Sequence, residues 1–210
     1  MDIQALYDRG DYTAVIKKLK NTEPRPLLAF AYQKSKQWEE AMNVWTTLIA
    51  KYPDAAEYYV ERGVCKFNLR FKHAIQDFNQ AIEMEPSNAY FYSCRAYIRD
   101  KTGDTEGSVE DYTKALELDP EDAITLNNLG LAEQKLGYTA KARERFKDSD
   151  DLLGIKTIDS RTDLTENGVG PSPKIELKSE TIKPTIWSEF RKMLTLEGFK
   201  GFWRDLRNKG

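Results

Sequence analysis

Along the first 150 residues the apolar positions follow a helical spacing that itself repeats. Ala41, Trp45 and Leu48 lie four and three residues apart, as do Ala74, Phe78 and Ala81, and again Ser108, Tyr112 and Ala115. Spacings of four and three put each trio on one helix face, with a small residue beside an aromatic. Each face closes on a proline, Pro53, Pro86 and Pro120, which ends a helix by withholding its N–H. A second small residue stands 11 or 12 positions earlier in each phrase, at Ala29, Gly63 and Ala96, and Gly130 precedes Ala142 in the same way. The pattern predicts paired helices whose small residues let them approach closely.

The prolines are 33 and 34 residues apart, a period that marks an array of helical hairpins burying its core only between neighbouring units. Gly103-Asp104 and Gly137-Tyr138 supply the turns inside two hairpins, where glycine takes the left-handed conformation that stops a helix. The unit from Pro53 to Pro86 is one residue short, and the loss falls at "NLRF", where no glycine stands. A tighter or distorted hairpin is expected there. Thr105 and Gly107-Ser108 replace the aromatic and alanine seen as Trp38 and Ala41, which predicts a looser second helix in that unit.

These residues resemble the tetratricopeptide repeat family. "LNNLGLAEQKLGYTAKARERF" follows its G-x-x-x-x-x-x-G-x-x-x-x-A-x-x-x-F pattern, and "ALELDP" matches its repeat ending. The resemblance covers roughly the first 153 residues. Residues 1–21 read as a truncated leading hairpin and 22–154 as a solenoid of about four repeats, 22–55, 56–88, 89–122 and 123–153. The fourth ends "RFKDSDDLLG", with Ser149 where alanine or leucine stands elsewhere and no closing proline, so the array stops there and its last helix needs a cap.

The chain then changes character. Residues 155–184 gather Ser, Thr, Gly and Pro without an aromatic, too little apolar surface to fold alone, and read as a flexible linker. Within them "KIELK" alternates and could add a short strand to a partner. Residues 185–210 carry two of the four tryptophans and read as an amphipathic helical tail. Trp187, Phe190, Met193 and Leu194 share one helical face; Phe199, Phe202, Trp203 and Leu206 share another, and Gly198 and Gly201 between them predict a bend or two short helices. The expected fold is therefore all-α: a hairpin solenoid, a linker and an aromatic tail. Three roles are open to the tail. It can cap its own solenoid or that of a swapped dimer, dock on another protein, or anchor on an anionic membrane surface through Lys192, Lys200, Arg204, Arg207 and Lys209.

In the family that the repeats resemble, the first helix of each hairpin lines a concave groove. The resemblance places there Phe30 and Gln33; Val60, Val64 and Phe67; Tyr90, Cys94 and Tyr97; and Asn127, Asn128, Leu131 and Lys135, with Tyr97 and Asn128 foremost. Aromatics would supply contact area and asparagines would clamp a backbone, which suits a peptide segment or a helix of a protein partner. Some co-chaperones of the family clamp a terminal carboxylate with lysines; Val60 and Ser93 stand in that wall here, which argues against that activity. The implied function is a protein-binding adaptor or scaffold with the tail as a second docking element, or a structural subunit completed by its tail.

Charge and chemistry narrow this further. Residues 1–153 hold 21 Lys and Arg against 26 Asp and Glu, and residues 185–210 hold six against three; an acidic body argues against nucleic acid as its ligand. The start "MDIQALYDRGDY" shows no charged segment followed by an apolar one, so neither a secretory signal nor a spanning helix is expected. Cys65 and Cys94 lie 29 residues apart, outside metal-site spacings, and read as reduced buried thiols of a cytoplasmic protein. His73 is the sole histidine and is expected to pair with Asp77 four residues on. No hydrolase, nucleotide-loop or metalloprotease signature occurs, so neither catalysis nor a cofactor is expected.

Overall fold

The computed structural model describes residues 2–154, which form ten helices in succession: α1 (Ile3–Asp8), α2 (Tyr12–Leu19), α3 (Pro26–Lys34), α4 (Trp38–Lys51), α5 (Ala56–Asn68), α6 (Ile75–Met84), α7 (Ala89–Thr102), α8 (Thr105–Leu118), α9 (Ala123–Lys135) and α10 (Thr139–Leu152). Among the described residues there is no strand. Each helix packs on the next in sequence. Beyond these neighbours, α5 also touches α7 and α7 touches α9, whereas no second helix of a hairpin meets the following second helix to that extent. First helices therefore lie on the inside of the curve and second helices on the outside, as in a hairpin solenoid.

Close contact at the small residues holds each hairpin shut. A Cβ added to Gly63 would stand 2.7 Å from Cε2 of Phe78, and one added to Gly130 would stand 2.7 Å from Cε1 of Phe146. Ala29 faces Trp45 in the first full hairpin, both with no exposure, and Ala96 joins Tyr112 in the core of the third. The Trp45 ring meets Phe30 edge-on at 5.0 Å and Tyr58 of the next hairpin at 5.3 Å. One cluster thus runs from Ala29 to Cys65 and a second from Ala56 to Ile98, each joining a hairpin to the next unit.

The outer positions beside these contacts are locked by charge in the middle of the array. Arg62 grips Asp77 with two hydrogen bonds of 2.9 and 2.8 Å, and Lys66 adds a third at 3.0 Å. One repeat on, Arg95 grips Asp111 at 2.8 and 2.6 Å and Arg99 lies 3.1 Å away. The same positions are Leu28, Tyr32 and Val44 in the first full repeat, and in the last the charges are reversed, with Glu133 on α9 and Arg145 on α10 at 3.8 Å. Burying a carboxylate is tolerable here because two cations and a bidentate geometry offset its desolvation.

Helix ends follow the prolines and turns. Helices α4, α6 and α8 stop at Lys51, Met84 and Leu118, and Tyr52, Glu85 and Asp119 leave the helical region with ψ angles of 72°, 76° and 88° before the prolines. The turn residues Gly103 and Gly137 have φ of 97° and 84°, and Lys36 and Arg70 occupy the equivalent places at 58° and 63°. At the shortened unit the hairpin is distorted. Bonds from Ala74 N to Phe71 O and from Gln76 N to His73 O are of the tighter i to i+3 kind, and α6 begins only at Ile75.

That tight turn overturns the expected His73–Asp77 pair. His73 precedes the regular helix and is exposed, while Asp77 is buried against Arg62 and Lys66. The looser α8 is not found either. It runs unbroken for 14 residues, pairs with α7 more extensively than any other two helices pair, and buries Gly107 and Ser108. Small residues there admit close approach, Asp104 caps the helix by accepting from Gly107 N at 3.0 Å, and Arg99 donates to Gly107 O at 3.0 Å.

Two outcomes follow from this packing. Gly63→Ala drives a methyl into the fully buried Phe78 ring, at a cost of about 1–3 kcal/mol that exceeds the helix-propensity gain of up to about 1 kcal/mol; thermal melting should show lower stability, and an unchanged or higher midpoint refutes the close contact. Arg70→Gly relieves a left-handed backbone and should raise stability by about 0.5–1 kcal/mol, read in the same melts.

Candidate functional site: the inner face of the first helices

The inner face is built from α3, α5, α7 and α9. Val64, Tyr97 and Leu131 occupy equivalent places, each one residue after the small residue of its helix, and form a stripe across three neighbouring helices. Tyr97 is 46% exposed and Leu131 49%, and Val64 is half-buried. The Lys101 ammonium lies 5.3 Å from the Tyr97 ring centroid, and Lys135 donates to Asp100 at 2.7 Å, bridging α9 to α7 at one edge of the stripe. Asn127 and Asn128 are half-buried on α9, and their amides make no hydrogen bond within the described residues.

Not every candidate reaches this surface. Phe30 and Val60 are core residues: Phe30 packs on Trp45 and Val60 belongs to the cluster around Phe78, because α3 and α5 are wedged between hairpins on both sides. Phe67, Tyr90 and Cys94 are half-buried and pack against that second cluster. Gln33 is buried and occupied, its amide donating to the Glu61 carboxylate at 2.9 Å. Tyr97, Leu131 and Lys135 are exposed, and the two asparagines and Val64, like Phe67, Tyr90 and Cys94, keep part of their surface. The tail candidates Trp187, Phe190, Met193, Leu194, Phe199, Phe202, Trp203 and Leu206, and the linker 155–184, lie outside the described residues.

The sequence reading missed Glu61. It is buried where α5 meets α3, and the neutral Gln33 amide donates to its carboxylate at 2.9 Å while also approaching Cys65 Sγ at 3.5 Å. Burial pushes its carboxyl up to about 7, opposed by the Gln33 hydrogen bond. Asp77 and Asp111, equally buried, have arginine partners. A charged residue two places before the packing glycine, in "VERG", was the available signal. Burial likewise pushes the thiols of Cys65 and Cys94 up to about 12, which keeps both protonated and poor as nucleophiles or metal ligands. Among the described residues no three His, Cys, Asp or Glu side chains are placed to hold a metal ion, and no helix is long and apolar enough to cross a membrane.

The fold and this inner face define a helical-hairpin repeat scaffold. A TPR repeat model matches residues 98–137 and a tetratricopeptide repeat model matches residues 27–55; neither includes the shortened turn at Phe71–Ala74. The chain thus carries tetratricopeptide repeats over these two segments. In fold it is similar to a crystal structure of MamA, with 22% identity and a TM-score of 0.58 over 73% of this chain and 96% of that one. It is also similar to MamA from residue 41 to the end from Desulfovibrio magneticus RS-1, with 18% identity and a TM-score of 0.60 over 78% and 93% of the two chains. No curated protein matches it in sequence.

Glu61 gives a pH signature. Its folded-state pKa is raised above the unfolded value near 4.5, so the unfolded chain releases its proton first, and this group's contribution to stability falls as pH rises from about 4.5 to about 7. Glu61→Gln keeps the shape and removes that loss. The variant should be more stable than wild type at pH 8, by on the order of 1–3 kcal/mol, and nearly equal to it at pH 4.5; denaturant melts that show the same difference at both values overturn this assignment.

Proposed function

We propose that the protein is a protein-interaction adaptor whose inner groove takes a peptide segment or a helix of a partner. One observation carries this reading: the exposed stripe of Tyr97 and Leu131 lies beside the Asn127 and Asn128 amides, which make no hydrogen bond among the described residues. Apolar surface supplies affinity in such a groove, and two amides with vacant donors and acceptors supply backbone recognition. The protonated thiols and the cation-paired aspartates fit a binding role, not catalysis, and no cofactor enters it. The partner is protein and not nucleic acid, given the acidic body. Residues 185–210 act as a second docking element tethered by 155–184, in a protein that works in the cytoplasm.

The alternative, a structural subunit whose tail closes its own solenoid, rests on the end of α10. The positions that are Leu48 and Ile49 in the first full repeat are Ser149 and Asp150 in the last; Ser149 donates to Ala123 O at 2.8 Å, and both side chains are buried. Beyond them Leu152 and Leu153 are exposed, the apolar surface that such a cap would cover.

The groove reading is tested by selecting binders for the full chain from a displayed library of peptides 12–20 residues long. Tyr97→Ala with Asn128→Ala should lower the affinity of the selected peptides at least about tenfold, roughly 1.4 kcal/mol, with the helical circular dichroism unchanged. Equal affinity in the double variant removes the groove from the binding role.

A further inference from the structure

Half of the eight exposed large hydrophobic side chains among the described residues lie along one edge of the array, where second helices end and first helices begin. Leu118 ends α8, Ile124 stands in the first turn of α9, and Leu152 and Leu153 stand at the end of α10. Ser149 donates to Ala123 O at 2.8 Å, which ties the end of α10 to the start of α9. The repeat brings the side chains together as well. Glu57 feels the charge of Glu85 across this edge, and the matching places two repeats on are Ile124 and Leu153. Leu118 and Leu152 match each other in adjacent repeats. Contiguous apolar surface of this kind marks a place that another segment covers.

The same edge is acidic. Residues 117–124 and 148–154 hold seven Asp and Glu and no Lys or Arg. Lys114, which pairs with Glu117 at 2.8 Å, and Lys147 flank them, and Glu83 and Glu85 extend the acidic edge in the preceding repeat. The last 26 residues have the complementary chemistry, six Lys and Arg against three Asp and Glu, with Trp187, Phe190, Phe202 and Trp203. Residues 155–184 leave the array directly after Leu153 and Gly154, at the patch itself. A tether of about 30 residues has an r.m.s. span near 30 Å, so its far end returns to its own origin without extension. Its effective concentration there is on the order of 1 mM, which favours the chain's own tail over a separate basic segment.

We propose that residues 185–210 dock in cis on this acidic edge, over Ile124, Leu152 and Leu153. The inference rests on the reading of residues 185–210 as a docking element and names the surface on which they dock. The aromatic side chains cover the apolar patch, and the Lys and Arg side chains face the carboxylates around it. Tyr97 and Leu131 on the inner face stay open to a partner.

The test uses the full chain with the photoreactive residue p-benzoylphenylalanine in place of Ile124, which is 62% exposed, or in place of Leu131, each prepared as a mixture of ¹⁴N- and ¹⁵N-labelled copies. Irradiation should join position 124 to residues 185–210 within one copy. Replacing Asp119 and Asp148 and Asp151 by asparagine and Glu121 by glutamine, with the helical circular dichroism unchanged, should lower the yield about threefold or more; an unchanged yield overturns the acidic edge as the seat. A product from position 131 and none from position 124 also overturns the seat, while the tail still docks on its own chain. Products joining a ¹⁴N to a ¹⁵N copy in place of products within one copy show a swapped dimer and overturn docking in cis. No product from either position overturns the proposal and leaves the docking role to a separate protein. Replacing Trp187, Phe190, Phe202 and Trp203 by serine should abolish the product from position 124; an equal yield from that variant overturns the docking role itself, since the tail then reaches the edge only by diffusion on its tether.

Discussion

Everything in this solenoid depends on one contact, the edge of an aromatic ring from the second helix of a hairpin pressed against a residue with little or no side chain on the first. Gly63 against Phe78 and Gly130 against Phe146 leave no room for a methyl, and Ala29 with Trp45 and Ala96 with Tyr112 occupy the same places with one. The contact sets the spacing of the two helices, and that spacing decides which residues turn inward between hairpins. Where the ring is largest, at Trp45, it reaches across to Tyr58 and joins one unit to the next. The groove is a by-product of this packing: its floor is whatever the first helices have left over after the core is filled.

The charge pattern acts on top of that frame. The middle hairpins hold Asp77 and Asp111 each between two cations, the first full hairpin uses Leu28, Tyr32 and Val44 instead, and the last reverses the sign with Glu133 and Arg145. A buried pair adds little net stability over apolar packing, so the alternation bears on which helix meets which. A hairpin partner chosen out of register would set carboxylate against carboxylate or leave an arginine alone. Glu61 stands outside this scheme, a buried acid held by an amide, and makes the region between the first and second full hairpins a place where pH acts on the array.

The residues with surface to offer are gathered at one end. In the first two repeats the inward positions are consumed by packing, as with Phe30, Gln33 and Val60, while in the third and fourth Tyr97, Leu131, Asn127 and Asn128 retain surface or free hydrogen-bonding capacity. The side chains of this face with the most surface therefore lie in the third and fourth repeats.

The sequence alone determined the hairpin array, because a small residue, an aromatic and a proline at fixed offsets allow few arrangements. It determined the distorted turn as well: one missing residue at "NLRF" must be absorbed, and the tight i to i+3 turns that follow Arg70 absorb it. The tertiary structure decided which side chains of a given helical face belong to the core and which to the groove. Helix periodicity places Phe30 and Tyr97 at equivalent positions, and only the neighbouring Trp45 buries the first while the second stays open. The partners of buried charge were equally beyond the sequence. Asp77 lies four residues from His73 along the chain, yet it is held by Arg62 and Lys66 from the facing helix, because a shortened turn moved the histidine out of the helix and the fold brought the two cations in.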